Sequence, residues 1–170
     1  MRMFWLALYY GFAYHLPGYH MPLIGKLCNS IRISILRHLM PVGKNCRIMK
    51  HVYVGNGKNI SFGDNCRIND EIRLDNVSIG NHVMIARESI ILGKMHGYGN
   101  KEIPMEMQHG NYDMKSVIED DVWFGLRVIM MPGLTVKKGC IVGAAAVLTK
   151  DTVEYGIYGG VPAKLIKMRD

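Results

Sequence analysis

The chain has 170 residues, 49% hydrophobic and 21% charged, which fits one domain able to bury its own core and excludes wholesale disorder. Lys and Arg number 21 against 14 Asp and Glu, a formal charge of +7. That excess suits an anionic ligand (nucleotide, coenzyme, acidic lipid head group, nucleic acid) without choosing among them.

In chain order, the first element is the apolar run 3–14, MFWLALYYGFAY. It is too short and too rich in Tyr to span a bilayer, and His15-Leu16-Pro17-Gly18 offers no signal-peptidase site. It predicts a helix packed on the domain, with an interfacial membrane contact through Trp5, Tyr9 and Tyr10 as the sharper alternative. Residues 29–40 predict a second helix, capped by Asn29 or Ser30 and ended by Pro41. Arg32, Arg37 and His38 are expected on its solvated face. Cys28, Cys46, Cys66 and Cys140 are far apart, with no CxxC pair. They read as buried, reduced small hydrophobes rather than disulfides or a zinc site.

From residue 42 an aliphatic recurs every six residues: Val42, Ile48, Val54; Phe62, Ile68, Leu74; Ile79, Ile85, Ile91; then Ile118, Phe124, Met130, Val136, Val142, Leu148. Slips fall at Ile60-Ser61 and at Asn76-Val77-Ser78. Gly often follows the aliphatic, as in Val42-Gly43, Phe62-Gly63 and Phe124-Gly125. A smaller inward candidate sits four places on (Cys46, Val52, Cys66, Ile72, Val83, Ser89, Val122, Val128, Cys140, Ala146). Period six fits neither an amphipathic helix nor a long alternating strand. It fits a chain that makes a short strand, turns a corner and repeats, with Gly or Asn at corners that need positive φ. Three sides close one coil of a parallel β-helix. The hexads make about five coils, stacked to roughly 24 Å at the usual strand spacing. The prism, residues 42–161, has open strand edges at both ends, which 1–41 and a short helix at 162–170 are expected to cover. The phase vanishes only in the excursion 93–116, a length that usually means function.

Five segments, taken in order, carry a resemblance: Asp121-Val122-Trp123-Phe124-Gly125, Pro132-Gly133-Leu134-Thr135-Val136, Val142-Gly143-Ala144, Thr149-Lys150-Asp151 and Gly160-Val161-Pro162-Ala163-Lys164. With Tyr10-Gly11-Phe12-Ala13 and Leu16-Pro17 upstream, the whole chain resembles hexapeptide-repeat sugar O-acetyltransferases, most of all those of capsule, O-antigen and colanic-acid gene sets. The resemblance implies a left-handed winding, a homotrimer with each site between neighbouring prisms, and direct transfer from acetyl-CoA in a ternary complex, with no metal. The acceptor would be a sugar, a nucleotide sugar or a lipid-linked glycan. The enzyme would be cytoplasmic, at most touching the inner face of the membrane.

A sugar hydroxyl attacking a thioester needs a base, and His is the side chain suited to that at neutral pH. His96, in Lys94-Met95-His96-Gly97-Tyr98, matches the family's catalytic histidine at the root of the excursion. His109 reads as an exposed loop residue, and His82 as a solvent-facing corner. The resemblance puts the oxyanion donor at the Leu126 amide, after Gly125, where many relatives carry a small or polar residue. It sets Trp123 beside the coenzyme, the amides around Ala144 on the pantetheine arm with Thr149 and Lys150 further along, and Lys150, Lys164 and Lys167 at the phosphates. Asn69 falls where galactoside-type relatives hold the acceptor. No Ser or Cys sits in a nucleophile-base motif.

The shared acetyl-CoA half leaves N-acetylation of an amino sugar, or acetylation of serine or a drug, as rivals, although the extra helical domain of serine acetyltransferases is missing. A zinc β-helix carbonic anhydrase lacks its histidine spacing here. A non-catalytic β-helix would not need His96 together with the Trp123, Ala144 and Lys164 motifs. Nucleic-acid binding rests on charge alone and is not expected.

Overall fold

Fourteen of the fifteen hexad aliphatics are buried, and Val42 is half-buried. In the computed structural model, which describes residues 1–110 and 114–170, they line a three-faced prism. The first face stacks Arg47–Ile48, Arg67–Ile68, Met84–Ile85, Trp123–Phe124, Ile141–Val142 and Gly156–Gly159 in parallel. The second stacks Arg73–Leu74, Ile90–Ile91, Ile129–Met130 and Val147–Leu148. The third stacks Ile60–Phe62, Val77–Ile79, Ser116–Ile118 and Thr135–Val136. The two slips in the repeat fall in the connections that enter this face, at 55–59 and 75–76. Bridges from Val42 to Phe62 and from Tyr53 to Arg73 complete a first coil, so the expected five coils are present. The chain passes from first to second face at what we call the first edge, from second to third at the second edge, and from third to first at the third.

Register follows from burial. Ile48, Ile68, Ile85, Phe124 and Val142 lie directly over one another, and a slip of one residue would turn the column outward. The smaller inward residues, Cys46, Cys66, Val83, Val122 and Cys140 among them, are all buried, and the four cysteines are free.

Corner chemistry meets the expectation in part: Asn takes positive φ at Asn45 and Asn65, but most of the glycines that follow an aliphatic do not. Positive φ falls three residues after the aliphatic, at Asn45, Asn65, His82 and Asp121 on the third edge (55° to 61°), not on the glycines that follow it. Those glycines permit close stacking instead: a Cβ on Gly63 would stand 2.7 Å from the Gly80 carbonyl. A side-chain ladder holds the same edge. The Lys44 N–H donates to Asp64 (2.7 Å), the Asp64 N–H to Asn81 (2.8 Å) and the Asn81 N–H to Asp120 (2.6 Å). That last bond holds the Asp120 carboxyl below the usual carboxylate range.

Two helices cover the start. α1, Arg2–Gly11, turns Trp5, Leu6, Tyr9 and Tyr10 toward the core, and the buried Tyr9 hydroxyl donates to the Val52 carbonyl (2.6 Å). Burial raises the Tyr9 pKa, and Tyr10 is pushed up to about 12 for the same reason. α2, Gly25–Arg37, begins four residues before the expected cap. Asn29 is not a cap. Buried, it donates to the Cys46 carbonyl (3.2 Å) and accepts from the Ile48 N–H (2.9 Å), so it pairs the open strand edge of the first coil. Arg32 is not solvated either. It is fully buried and donates to the carbonyls of Ala13, Leu16, Pro17 and Ile48, and desolvation lowers its pKa. Arg37 is exposed as expected, and the exposed His38 ring stacks on Trp5 at 3.7 Å.

The other end is closed by a strand, where a helix at 162–170 is expected. Lys164–Met168 runs antiparallel to Gly156–Gly159, with Gly159 opposite Lys164 and Ile157 opposite Lys167. An open strand edge presents rows of N–H and C=O, which another strand satisfies and a helix does not. The excursion leaves and rejoins at the second edge, where Gly93 lies against Asp75 and Asn76, and the Ser116 N–H donates to the Asn76 carbonyl (2.9 Å). Its residues 111–113 lie outside the described residues. Among the described residues, no helix is long and apolar enough to cross a membrane.

Candidate active site

The expected coenzyme and catalytic residues sort onto two edges of the prism. On the first edge, Gly125 and Leu126 follow the strand Trp123–Phe124, and Ala144 stands one coil further on. A Cβ on Gly125 would lie 2.7 Å from the Ala144 nitrogen, so the missing side chain leaves that amide uncovered. Among the described residues, neither the Leu126 nor the Ala144 N–H donates a hydrogen bond, and both residues are exposed. The Leu126 carbonyl is engaged by the Ala145 N–H at 2.7 Å, which fixes the plane of the turn. Two outward, unpaired N–H groups on a rigid corner are suited to an acyl oxygen or an amide-containing arm. Trp123 is 47% exposed on the adjoining face, with Met84 opposite it one coil below. Met84 is also exposed, so the pair forms an apolar step beside the free amides. The sequence did not single out Met84, because an outward hexad position carries no periodic signal.

Asn69 shares the first edge, two coils below Leu126. Its side chain donates to the Ile85 carbonyl (3.0 Å), which serves coil stacking, and it borders a shallow cavity with Gly18, His20 and Asp70. Between Asn69 and Leu126 stands Arg87, with its guanidinium 4.0 Å from the Asp70 carboxylate.

His96, Thr149 and Lys150 belong to the second edge. His96 is exposed, and among the described residues its ring makes no hydrogen bond. What fixes its backbone is a close pairing of the two arms of the excursion. A Cβ on Gly97 would collide with the His109 carbonyl, and one on Gly110 with the Met95 carbonyl. Gln108 ties the tip, accepting from the Asn100 N–H (3.1 Å) and donating to the carbonyls of Asn100 and Ile103 (both 2.7 Å). His109 is exposed, as expected. Beneath the root lies a cavity of about 230 Å³, lined by Tyr53, Arg73, Asp75, Asn76 and Lys94 among others. Arg73 stacks over the Tyr53 ring (4.5 Å) and pairs with Asp75 (2.9 Å). These outward residues of the early coils also escaped the sequence reading.

Thr149 and Lys150 are exposed two coils above the root of the excursion. Lys164 is exposed at the start of the final strand, and among the described residues neither it nor Lys150 has an ionic partner. Lys167 stands 3.8 Å from the Asp170 carboxylate in an exposed pair of little energetic weight. Between the two edges runs the second face, about five residues or roughly 15 Å of chain.

No family model matches the chain. WbbJ of Escherichia coli (strain K12), named for O-acetyl transfer in lipopolysaccharide biosynthesis, is 30% identical over 156 residues, 73% of this chain and 80% of that protein. A galactoside O-acetyltransferase of Lactococcus lactis is 30% identical over 125 residues, 71% of this chain, and the match spans 59% of that protein's length. The structure of a hexapeptide-repeat-containing acetyltransferase from Vibrio cholerae, complexed with acetyl coenzyme A, superposes with a TM-score of 0.76 at 25% identity. That match covers 83% of this chain and 78% of the other. The chain therefore belongs to the hexapeptide-repeat acetyltransferases, and its prism is their left-handed parallel β-helix.

Proposed function

We propose that the protein transfers an acetyl group from acetyl-CoA to a sugar hydroxyl during synthesis of a cell-surface polysaccharide in the cytoplasm. The observation that carries this reading is the pair of unpaired amides at Leu126 and Ala144, bared by Gly125 beside the exposed Trp123. The Ala144 N–H receives the pantetheine arm. Lys150 and Lys164 are the better-placed cations for the coenzyme phosphates, with Thr149 along the arm and Lys167 a weaker contributor because Asp170 faces it. Asn69 faces the acceptor.

In the reaction His96 takes the proton of the acceptor hydroxyl as its oxygen attacks the thioester carbonyl. The Leu126 N–H stabilises the tetrahedral oxyanion. Collapse breaks the C–S bond, and the imidazolium returns the proton to the departing thiolate. The products are an acetyl ester and free CoA, with no covalent enzyme intermediate.

His96 and Leu126 project from different edges, and a base works only within hydrogen-bond reach of its proton. A second prism, setting its second edge beside this first edge, supplies the missing partner. Repeated head to tail, that contact closes a ring, and we read the assembly as a homotrimer with three shared sites.

The test is release of CoA from acetyl-CoA with a panel of sugars, nucleotide sugars and lipid-linked glycans, wild type beside His96→Ala. Turnover in the wild type and its loss in the variant, with acetyl-CoA still bound, is the expected result. A fully active variant removes His96 from the chemistry, and failure of the wild type to bind acetyl-CoA removes the whole reading.

A further inference from the structure

Charge is divided unevenly along this chain. Residues 1–63 contain eight Lys or Arg and no Asp or Glu, whereas residues 64–170 contain thirteen against fourteen. All the excess positive charge therefore sits on the two helices and the first coil, one end of the prism. Among the described residues, no Lys or Arg of residues 1–63 forms an ion pair, and the carboxylates nearest that end, Asp64 and Asp70, belong to the second coil. Arg2, Arg32 and Arg37 bind backbone carbonyls there, and Lys26, Arg37, Lys44 and Lys58 are exposed.

The same end exposes apolar side chains. Met3, Phe4 and Ala7 form the outer side of α1, opposite the buried Tyr9, and no charged residue interrupts it. Met21, Leu23, Ile24 and Leu27 stand out where the chain enters α2. Leu23 departs furthest from what a water-facing surface requires. Its exposure is 102%, so it packs on nothing, and its φ is 66°. It is the centre of a three-residue turn closed by the Ile24 N–H on the Pro22 carbonyl (2.8 Å), a strained geometry for any residue with a Cβ. A branched apolar side chain held there gains nothing from water or from the core.

We propose that this end of the prism docks on an anionic lipid bilayer, with Leu23 and the outer side of α1 in the interfacial layer. Lys26, Arg37, Lys44 and Lys58 then face the head-group phosphates. Exposed apolar side chains and exposed cations at one end are the two ingredients of interfacial binding, burial plus attraction to anionic lipid. A second copy of this chain fits poorly on the same face, because it would set one uncompensated cationic end against another. Nucleic acid would satisfy the cations and leave the apolar centre exposed. This inference does not depend on acetyl transfer, and neither test decides the other.

The experiment is flotation of the purified full chain with vesicles of phosphatidylcholine alone and of phosphatidylcholine mixed with phosphatidylglycerol. Binding to the mixed vesicles only, released by raising salt, is expected. Leu23→Asn combined with Met3→Ser should weaken that binding about tenfold or more. The double variant should melt no lower than wild type, since Asn suits positive φ and Met3 is exposed. Lys26→Gln should cost a few-fold and flatten the salt dependence. Equal binding by wild type and the folded double variant overturns the proposal, as does no binding of wild type to anionic vesicles. Self-association of the wild type without vesicle binding, lost in the double variant, would give the face to a second copy and overturn it too.

Discussion

The prism and the excursion at 93–116 are built by different rules. In the coils each inward residue is stacked on its equivalent one turn away, so the fold is over-determined along 42–161. The excursion has almost no core of its own. It is held by two glycines that let its arms touch and by the three hydrogen bonds of Gln108. Energy is concentrated in the coils, and the proposed base stands where they are interrupted. The difference explains how one scaffold can hold rigid amides on one edge while a histidine on another edge stands free to meet a substrate.

Substitutions should separate the two regions. His96→Ala should lower turnover by about 10² to 10⁴-fold with an unchanged melting curve, checked by CoA release and calorimetry. A parallel loss of stability would mean that the excursion is structural. The reverse is expected of Ile85→Ala, fully buried in the middle of a column: a loss of about 2–5 kcal/mol by denaturant unfolding, with acetyl-CoA affinity per folded molecule little changed. Gly125→Ala sits between the two, since its new Cβ would crowd the Ala144 amide. About a tenfold weaker acetyl-CoA affinity by calorimetric titration is expected, one hydrogen bond's worth, and an unaltered affinity would show that this amide is not used. The smallest effect is acid sensitivity of the third edge. The Asp120 pKa is depressed in the folded protein, so its stabilisation is present above the ordinary Asp value of 3.8 and fades as pH falls through the lower, folded value. Melting of the wild type should therefore drop through that acid window more than melting of Asp120→Asn.

The coils were legible because burial imposes a period, and a period of six has few structural solutions. The buried cysteines and the first helix were legible for the same reason. Arg32 was not: a guanidinium bound to four carbonyls is identical in sequence to one in water, and only the fold reveals which carbonyls lack donors. Asn29 looked like a cap because capping and edge-pairing use the same amide. Gly43, Gly63, Gly80 and Gly125 were legible as special, but their reason is coil-to-coil contact, a tertiary fact, whereas Gly55 does take positive φ. The last strand was missed because Lys164–Met168 gains its conformation from the open edge it covers. At the site, motif resemblance supplied Gly125, Leu126 and Ala144, and the structure supplied a physical use for Gly125. The resemblance implied a site between neighbouring prisms, and the structure gives the physical form of it: His96 and Leu126 stand on different edges.

That separation is the centre of the account, and mixing two defective chains addresses it most directly. His96→Ala removes the base from the second edge, and Ala144→Trp blocks the amides of the first; each alone should be inactive. Co-expressed in equal amounts, they should regain about a quarter of wild-type turnover, because a shared site is whole when one neighbour gives His96 and the other gives an open first edge. Mixed assemblies that form and remain as inactive as their parents would contradict a site divided between chains.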